Sequence, residues 1–236
     1  MNYLFSIAMG FLQGVAEFLP ISSSGHLTLF QYFFSPEQNP EELDMLFTIL
    51  LHFGTLISVC VYYWRDIIDM IREFFLGISD LFSRRGSHEG RPPEARRLVL
   101  MIIVGTLPLF AVLLVKDMVD AAFSNVTFIS AALIATGFLL FFSDRMAKGR
   151  KTARTATILD ALLVGCAQAV GTLPGISRAG STISAGMLCG FDRTFAVRFS
   201  FLLSLPAVLG ANILEIADAV QAGGVDMSRL PMDIVG

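Results

Sequence analysis

Two polar segments interrupt otherwise apolar stretches of the sequence, and the first contains residue types suited to phosphate chemistry. Gln13 and Glu17 are four residues apart and therefore share one face of a helix. Pro20 predicts the end of that helix, and the run Ser22-Ser23-Ser24-Gly25-His26 follows it. Serine favours the start of a helix, where free backbone N–H groups attract phosphate oxygens.

These residues also have structural explanations. Glu17 and Gln13 could make a polar contact between packed helices, and His26 alone could be a core histidine with satisfied hydrogen bonds. A carboxylate inside a membrane segment is costly, so it is a functional candidate by default. No other acidic residue precedes Glu37. The combination of Glu17, the serines and His26 favours catalysis.

The second polar segment places an arginine among small residues. It has the sequence Leu173-Pro174-Gly175-Ile176-Ser177-Arg178-Ala179-Gly180-Ser181-Thr182. Arg178 needs an anionic partner in such surroundings, and its planar fork matches phosphate oxygens. Glycine lets the backbone approach a ligand closely. An arginine that snorkels to the membrane surface is the alternative, but the Pro174-Gly175 turn favours a loop tip.

The elements that position these segments are predicted to be membrane helices. Hydrophobic residues make up 54% of the chain and charged residues only 16%, whereas soluble domains carry about a quarter charged residues. A spanning helix needs about 20 mostly apolar residues. Four stretches meet this requirement: Leu43–Trp64, Leu98–Val115, Val126–Phe142 and Phe195–Leu214.

Three further apolar stretches are interrupted. Asn2–Phe34 contains the first polar segment, and Thr157–Thr172 and Ile176–Phe191 flank the Leu173-Pro174-Gly175 turn. Interrupted apolar segments are typical of re-entrant hairpins, whose exposed backbone groups must face protein or water. The predicted fold class is an all-α integral membrane protein, a polytopic helix bundle with two re-entrant helical hairpins.

Charged loops predict the orientation of the chain. Basic residues concentrate in 65–97 and 143–155, so the positive-inside rule places both on the cytoplasmic side. The loops 35–44 and 116–125 are expected outside. The middle of 65–97 is too polar and too rich in Gly and Pro to bury a core, so a flexible loop is predicted there instead of a small soluble domain.

The two polar segments also resemble each other. Pro20-Ile21-Ser22-Ser23 matches Pro174-Gly175-Ile176-Ser177, and each follows a glutamine-containing apolar helix. The spanning segments after them run in opposite directions by the charge rule. This predicts an inverted repeat whose broken helices meet near the membrane middle. The predicted organisation is a single domain, 1–236, with repeat 1 at about 1–64, the basic loop 65–97, helices 98–142 and repeat 2 at about 156–215.

Other features exclude some functions and leave others open. The net charge of −3 gives no indication of a nucleic-acid partner. Cys60, Cys166 and Cys189 lie in apolar stretches without CxxC or metal-like spacing, so they are predicted to be packing residues. His52, inside a predicted span, either lines the same cavity as the two segments or makes a helix contact.

The motifs resemble those of the undecaprenyl-diphosphate phosphatase family, the bacitracin-resistance type of bacterial membrane phosphatase. The (Glu/Gln)-xxx-Glu motif is present as Gln13 to Glu17 and leads into Pro20-Ile-Ser-Ser-Ser-Gly-His26. The second motif is present as Pro174-Gly-Ile-Ser-Arg-Ala-Gly-Ser-Thr182, with Ala179 at a position that is often Ser. The resemblance covers nearly the whole chain.

The resemblance implies hydrolysis of undecaprenyl diphosphate to the monophosphate, which recycles the lipid carrier of cell-wall synthesis. Ser23 is expected to attack the terminal phosphorus with His26 as its base or later acid; His26 as nucleophile is the alternative. Glu17 is expected to orient His26 or, with Gln13, to hold a divalent cation, Mg²⁺ or Ca²⁺. Arg178 is expected to hold the diphosphate. Further substrate-binding residues are predicted at Ser22, Ser24, Gly25, Gly175, Ser177, Ser181 and Thr182.

The family also implies a location in the bacterial inner membrane, surrounded by lipid. The acidic loop after His26 is expected outside, so the site is expected to open to the external leaflet. A homodimer is left open. The rival function is a polyprenyl-phosphate lipid transporter, because inverted repeats with broken helices are a transporter architecture and Glu17 could carry a coupled proton.

Overall fold

The computed structural model describes residues 3–34, 45–83, 93–146 and 148–221. Regular secondary structure in this part is helical, apart from one isolated bridge between Lys151 and Phe191, so the predicted all-α class is confirmed. The helices in chain order are α1 (Tyr3–Phe18), α2 (Ser23–Phe34), α3 (Met45–Tyr62), α4 (Trp64–Ser83), α5 (Glu94–Thr106), α6 (Leu109–Val112), α7 (Lys116–Phe123), α8 (Val126–Met146), α9 (Ile158–Val170), α10 (Arg178–Leu188) and α11 (Arg193–Gln221).

Several of these helices can cross a membrane. Within the described ranges, three helical stretches are long and apolar enough: Glu94–Phe123, Val126–Arg145 and Arg193–Ala217. α3 and α4 qualify together, but their axes are bent by 83°. These stretches overlap the four predicted spans. α1 and α9 are apolar but shorter, which suits interrupted segments, and their re-entrant character stays a prediction.

The segment after α3 differs from the prediction. Residues 65–97 were expected to form a flexible loop, but Trp64–Ser83 is helical and forms α4. The prediction was wrong there because it was based on the polar, Gly- and Pro-rich middle of the segment. It missed the apolar residues that recur at helical spacing between the charges, at positions 64, 68, 71 and 75. Residues 84–92, which contain the most polar part of that loop, lie outside the described residues.

The predicted span Leu98–Val115 is longer than expected and is broken. α5 begins at Glu94 and ends at Thr106, because Pro108 cannot continue its hydrogen-bond ladder. Helical turns resume in α6 and in a 3-10 turn at Leu113–Val115. Residues 116–125 were expected to form a loop, but Lys116–Phe123 forms the short helix α7.

Two apolar clusters hold the bundle together. The smaller one joins α1, α2 and α3 through Met9, Leu27, Phe47 and Leu51. The larger one joins α5, α9, α10 and α11 and includes Leu98, Val164, Met187, Phe199 and Leu202. Between membrane helices such contacts stabilise the bundle by van der Waals packing, because lipid tails are as apolar as these side chains. The first polar segment connects α1 and α2 of the smaller cluster, and the second connects α9 and α10 of the larger one.

α9, which leads into the second polar segment, is fixed at both its start and its middle. Thr157 and Asp160 form a capping box at its start, and Lys151 Nζ lies 2.9 Å from both carboxylate oxygens of Asp160. At its middle, a Cβ on Gly165 would lie 2.2 Å from the carbonyl oxygen of Gly105 in α5. Small residues permit this close helix contact, as is common in membrane proteins.

Candidate active site

The first polar segment forms a tight turn between α1 and α2. Ser22, the residue before α2, has φ +73°, a left-handed conformation that is unusual for a residue with a side chain and often marks functional sites. Its Oγ accepts a hydrogen bond from the Gly25 N–H at 3.3 Å, which caps α2. The turn brings Ser23, the first residue of α2, back against the last turn of α1.

The second polar segment forms a corresponding turn between α9 and α10. Gly175 has φ +86°, and a Cβ there would lie 2.5 Å from the carbonyl oxygen of Ile129 in α8, so glycine is required. Ser177 caps α10, because its Oγ accepts from the Gly180 N–H at 2.9 Å. Arg178 is therefore the first residue of α10.

The capping serines of the two turns are Ser22 and Ser177. The predicted repeat aligned the two turns differently. The sequence match pairs Ser23 with Ser177, whereas the capping bonds pair Ser22 with Ser177. The difference arises because Ser22 follows its proline by two residues and Ser177 follows its proline by three. As a result, Ser23 and Arg178 occupy equivalent first positions in their helices.

The two turns pack directly on each other. A Cβ on Gly25 would lie 2.9 Å from the Cα of Gly175, and a Cβ on Gly180 would lie 2.9 Å from the carbonyl oxygen of Pro20. Both neighbours are backbone atoms, which cannot move aside as a flexible side chain can. Each cap therefore uses a glycine to admit the opposite turn, and this contact brings the starts of α2 and α10 together.

Glu17, in the last turn of α1, connects the two segments. Its Oε2 accepts a hydrogen bond from Ser23 Oγ at 2.6 Å, and its Oε1 accepts one from Arg178 Nη2. Gln13 Nε2 donates to Oε2 at 3.4 Å, as the shared helix face predicts. The side chains of Glu17 and Arg178 are only 14% and 24% exposed, so each charge depends on the other for compensation.

A cavity of about 840 Å³ lies beside this ion pair. Six residues of the predicted site line it: Glu17, Ser22, Ser23, Ser24, Ser177 and Arg178. Its volume falls within the range of small-molecule sites, roughly 300–1,000 Å³. The cavity is therefore large enough for a diphosphate headgroup in contact with both polar segments.

Other residues of the predicted site do not line this cavity. His26 Nδ1 lies 2.8 Å from the carbonyl oxygen of Ser22, one turn earlier in its own helix, and within the described residues Ser23 Oγ is bonded to Glu17 and not to His26. Thr182 Oγ1 is bonded to the Arg178 carbonyl oxygen at 2.9 Å and lies 2.5 Å from Ser200 Oγ, inside the bundle.

The remaining predicted residues have packing positions. Ser181 is buried in α10 outside the cavity lining. Gly25 and Gly175 form the contact between the turns, and Gln13 is buried behind Glu17. These residues shape the site from behind and do not face the space where a substrate would lie.

His52 in α3 lines the cavity. This is the first of the two alternatives that the sequence left open for it. Its Nδ1 lies 3.0 Å from the carbonyl oxygen of Thr48, one turn earlier. That bond fixes the ring and leaves Nε2 as the nitrogen available to a ligand. Thr48 lines the cavity as well, so the two residues at positions i and i+4 present one polar face of α3.

α2 contributes a polar row of which the sequence analysis included only Ser24. Ser24, Thr28 and Gln31 lie at i, i+4 and i+7 and all line the cavity. Gln31 is buried, and its Nε2 has no hydrogen-bond partner among the described residues. The helical spacing of polar residues in an apolar segment was the signal that could have identified this row.

The side chains of this site offer few ligands for a metal ion. The described part of the chain contains no group of three or more His, Cys, Asp or Glu placed to hold a metal ion. Both oxygens of Glu17 already accept hydrogen bonds, one of them from a cation. An ion held by the protein alone does not fit this arrangement, and the predicted Mg²⁺ or Ca²⁺ at Glu17 stays a prediction.

Comparison with known proteins gives the family. The sequence profile described as "Bacitracin resistance protein BacA" matches residues 6–236. The chain belongs to this family. The match includes both turns, Glu17 and the helices that line the cavity, so the family resemblance seen in the two motifs is confirmed.

Several proteins named undecaprenyl-diphosphatase are similar to this chain over most of their length. The chain is 40% identical to the undecaprenyl-diphosphatase of Methanosphaera stadtmanae, over 92% of this chain and 78% of that protein. It is 39% identical to the undecaprenyl-diphosphatase of Alkaliphilus metalliredigens, over 98% and 82% of the two chains. It is 42% identical to that of Treponema denticola, over 94% and 79%.

Proposed function

We propose that this chain is a membrane phosphatase that hydrolyses undecaprenyl diphosphate to undecaprenyl phosphate and inorganic phosphate, and so recycles the lipid carrier of cell-wall synthesis. Membership of the BacA family and the names of its relatives support the substrate. The observation that carries the chemistry is the pair of contacts at Glu17, which joins a serine hydroxyl to an arginine at the edge of the cavity.

The cavity supplies several groups for the diphosphate. Arg178 uses Nη2 for Glu17, and the remaining N–H donors of its guanidinium are available to phosphate oxygens. α2 and α10 both begin at the cavity, at Ser23 and Arg178, and helix N-termini attract anions. The prenyl chain would leave the headgroup site along the apolar helices toward lipid.

In the first chemical step, Ser23 Oγ attacks the terminal phosphorus. The bond between that phosphorus and the bridging anhydride oxygen breaks, and its electron pair leaves with undecaprenyl phosphate. Glu17 Oε2 takes the proton of Ser23, to which it is already hydrogen-bonded at 2.6 Å. Arg178 offsets the charge that develops on the transferring group. The product on the protein is a phosphoserine at position 23.

In the second step, water attacks the phosphoserine phosphorus and the bond to Ser23 Oγ breaks. Glu17 returns its proton to Ser23 Oγ, which restores the starting state of the pair. His52, whose Nε2 is available in the cavity, takes the proton from the attacking water and then releases it to solvent. Inorganic phosphate leaves, so the sum of both steps is hydrolysis of one anhydride bond with release of one proton.

The setting of the reaction belongs to the same proposal. The site is expected to open to the external leaflet of the inner membrane, because the loops on that side lack the basic residues of 65–97 and 143–155. Mg²⁺ or Ca²⁺ at this site would find two carboxylates among the described lining residues, Glu17 and Glu215. Such a cation would supply charge neutralisation to the headgroup.

The test is phosphate release from undecaprenyl diphosphate by purified protein in detergent, where no compartments exist and transport alone gives no product. Ser23→Ala is expected to lower kcat by roughly 10³-fold or more, whereas the matched change Ser24→Ala, at another lining hydroxyl, should lower it far less. Arg178→Ala is expected to nearly abolish turnover. Wild-type protein without turnover, together with lipid translocation in vesicles, would favour the transporter.

The nucleophile is tested separately by acid quenching during turnover and mapping of the phosphorylated residue. A phosphate on Ser23 is expected, and a phosphate on His26 would overturn the assignment. Near-normal turnover of Arg178→Ala would show that Arg178 does not bind the diphosphate.

A further inference from the structure

α4 presents a continuous row of exposed apolar side chains. The row consists of Trp64, Ile68, Ile71, Phe75 and Ile78, which are between 39% and 64% exposed. Their spacing of four, three, four and three residues aligns them on one side of the helix, over a length of about 21 Å at 1.5 Å per residue. A row this long on the surface of a protein requires an apolar partner.

The other sides of α4 are tied to the bundle. Asp66 pairs with Arg198 of α11, and both Glu73 and Asp80 pair with Arg96 of α5, at 3.0 and 2.9 Å. Ile67 and Met70 pack against the larger apolar cluster. The helix therefore cannot rotate to bury its apolar row without breaking three ion pairs.

The direction of α4 relates it to the membrane. Its axis makes an angle of 83° with α3, which overlaps a predicted span. Spanning helices tilt on average by about 20° from the membrane normal, so α4 lies within about 30° of the membrane plane. Arginines at 65, 72, 84, 85, 91, 96 and 97 accompany it, which places it on the cytoplasmic side by the positive-inside rule.

We propose that α4 is an interfacial helix, which lies in the cytoplasmic surface of the membrane with its apolar row among the acyl chains of that leaflet. The alternative is that α4 forms the second half of a bent span. Trp64 is the first residue of α4, and indole rings favour the membrane–water boundary. Arg65 and Arg72 are exposed and lie roughly a quarter turn from the row, where their guanidinium groups reach lipid phosphates.

Trp64 is the single tryptophan of the chain, so its fluorescence reports one position. The experiment uses full-length protein in phospholipid vesicles whose acyl chains carry bromine at different depths. The depth of Trp64 is compared with that of a single tryptophan at residue 75 in the variant Trp64→Phe/Phe75→Trp. Both changes are at exposed positions outside the proposed active site, and undecaprenyl diphosphate hydrolysis checks that each protein is folded.

The proposal expects both tryptophans at the same shallow depth, quenched best by bromine near the headgroups. A bent span would separate the two depths by about 16 Å, from eleven residues at 1.5 Å each, and this result would overturn the proposal. Quenching of residue 75 by aqueous iodide without quenching by brominated lipid would overturn it as well. The matched variant Trp64→Phe/Asp69→Trp, on the exposed polar side of α4, should respond to iodide and mark the aqueous limit.

Discussion

At the scale of single residues, Glu17 serves two partners, since one carboxylate oxygen accepts from Ser23 and the other from Arg178. Glu17→Gln removes the base and leaves a mostly buried arginine without its counter-ion. We expect turnover to fall by about 10²–10⁴-fold and the free energy of unfolding to fall by on the order of 3 kcal/mol. Turnover and denaturation in detergent measure the two effects.

The double variant Glu17→Gln/Arg178→Gln separates catalysis from stability. It removes both charges, so its loss of stability should be smaller than the sum of the two single losses. Its turnover should stay as low as that of either single variant, because neither the base nor the phosphate-binding cation is restored. Additive losses of stability would contradict the ion pair as a stabilising unit.

The two histidines near the site provide a matched comparison. His52 lines the cavity, whereas His26 is bonded to its own helix and does not line it. We expect His52→Gln to slow breakdown of the phosphoserine, so that this intermediate accumulates, while His26→Gln keeps the wild-type balance of the two steps. Rapid-quench measurement of the phosphorylated fraction checks this. The opposite pattern would return His26 to the chemistry.

The sequence identified charged residues that are costly to bury. It was less informative about side chains whose orientation depends on the local backbone conformation. Glu17 and Arg178 stood out because charges in apolar segments need partners. The direction of His26 could not be predicted, since it depends on the turn at Ser22, whose positive φ no sequence rule requires. Thr182 was expected to face phosphate, but a threonine in a helix can equally bond a carbonyl one turn earlier, as it does here.

At the scale of elements, the crossing of the two turns depends on glycine. Gly25→Ala places a methyl group 2.9 Å from the Gly175 backbone, and Gly180→Ala places one 2.9 Å from the Pro20 carbonyl. Either change should lower the free energy of unfolding by about 1–3 kcal/mol. Either should also lower turnover by at least about tenfold, because Ser23 and Arg178 are displaced from each other.

Glycines elsewhere in the helices give the opposite expectation. A Cβ at Gly14 in α1 or at Gly137 in α8 would meet nothing within 4 Å. Alanine at these positions should stabilise the helix by about 0.5–1 kcal/mol and leave turnover unchanged. Equal effects of all four substitutions on thermal unfolding and phosphate release would show that the contact between the turns has no special role.

Element prediction succeeded where the sequence carried a single strong signal. Long apolar runs gave the spans, and Pro20 and the Pro174-Gly175 pair gave the breaks. α4 was missed because the segment 65–97 was judged by its polar middle, whereas the apolar residues of Trp64–Ser83 recur between charges at helical spacing. The register of the capping serines was also missed, since the number of residues between proline and cap differs in the two turns.

At the scale of the whole molecule, the cavity lies toward one end of the helices, and the charge network formed by Asp66, Glu94 and Arg198 lies toward the other. In α3 the cavity residues Thr48 and His52 come early, and the chain reaches the network at Asp66 of α4 only after α3 ends. In α11 the order is reversed, with Arg198 near the start and Glu215 at the cavity. Because basic loops accompany the network, this arrangement favours a cavity that opens to the outside.

The orientation of the whole molecule can be measured by labelling cysteines with a membrane-impermeant maleimide in intact cells. Ser124 lines the cavity and is exposed, whereas Arg154 is exposed in the predicted cytoplasmic loop. In a background where Cys60, Cys166 and Cys189 are replaced by alanine, Ser124→Cys should react without permeabilisation and Arg154→Cys only after it. By the positive-inside rule, the basic residues near Arg154 keep that loop in the cytoplasm, so the two positions are expected to differ in their reaction with the maleimide. Reaction of Arg154→Cys in intact cells, with protection of Ser124→Cys, would place the cavity on the cytoplasmic side and reverse the proposed access of the lipid diphosphate.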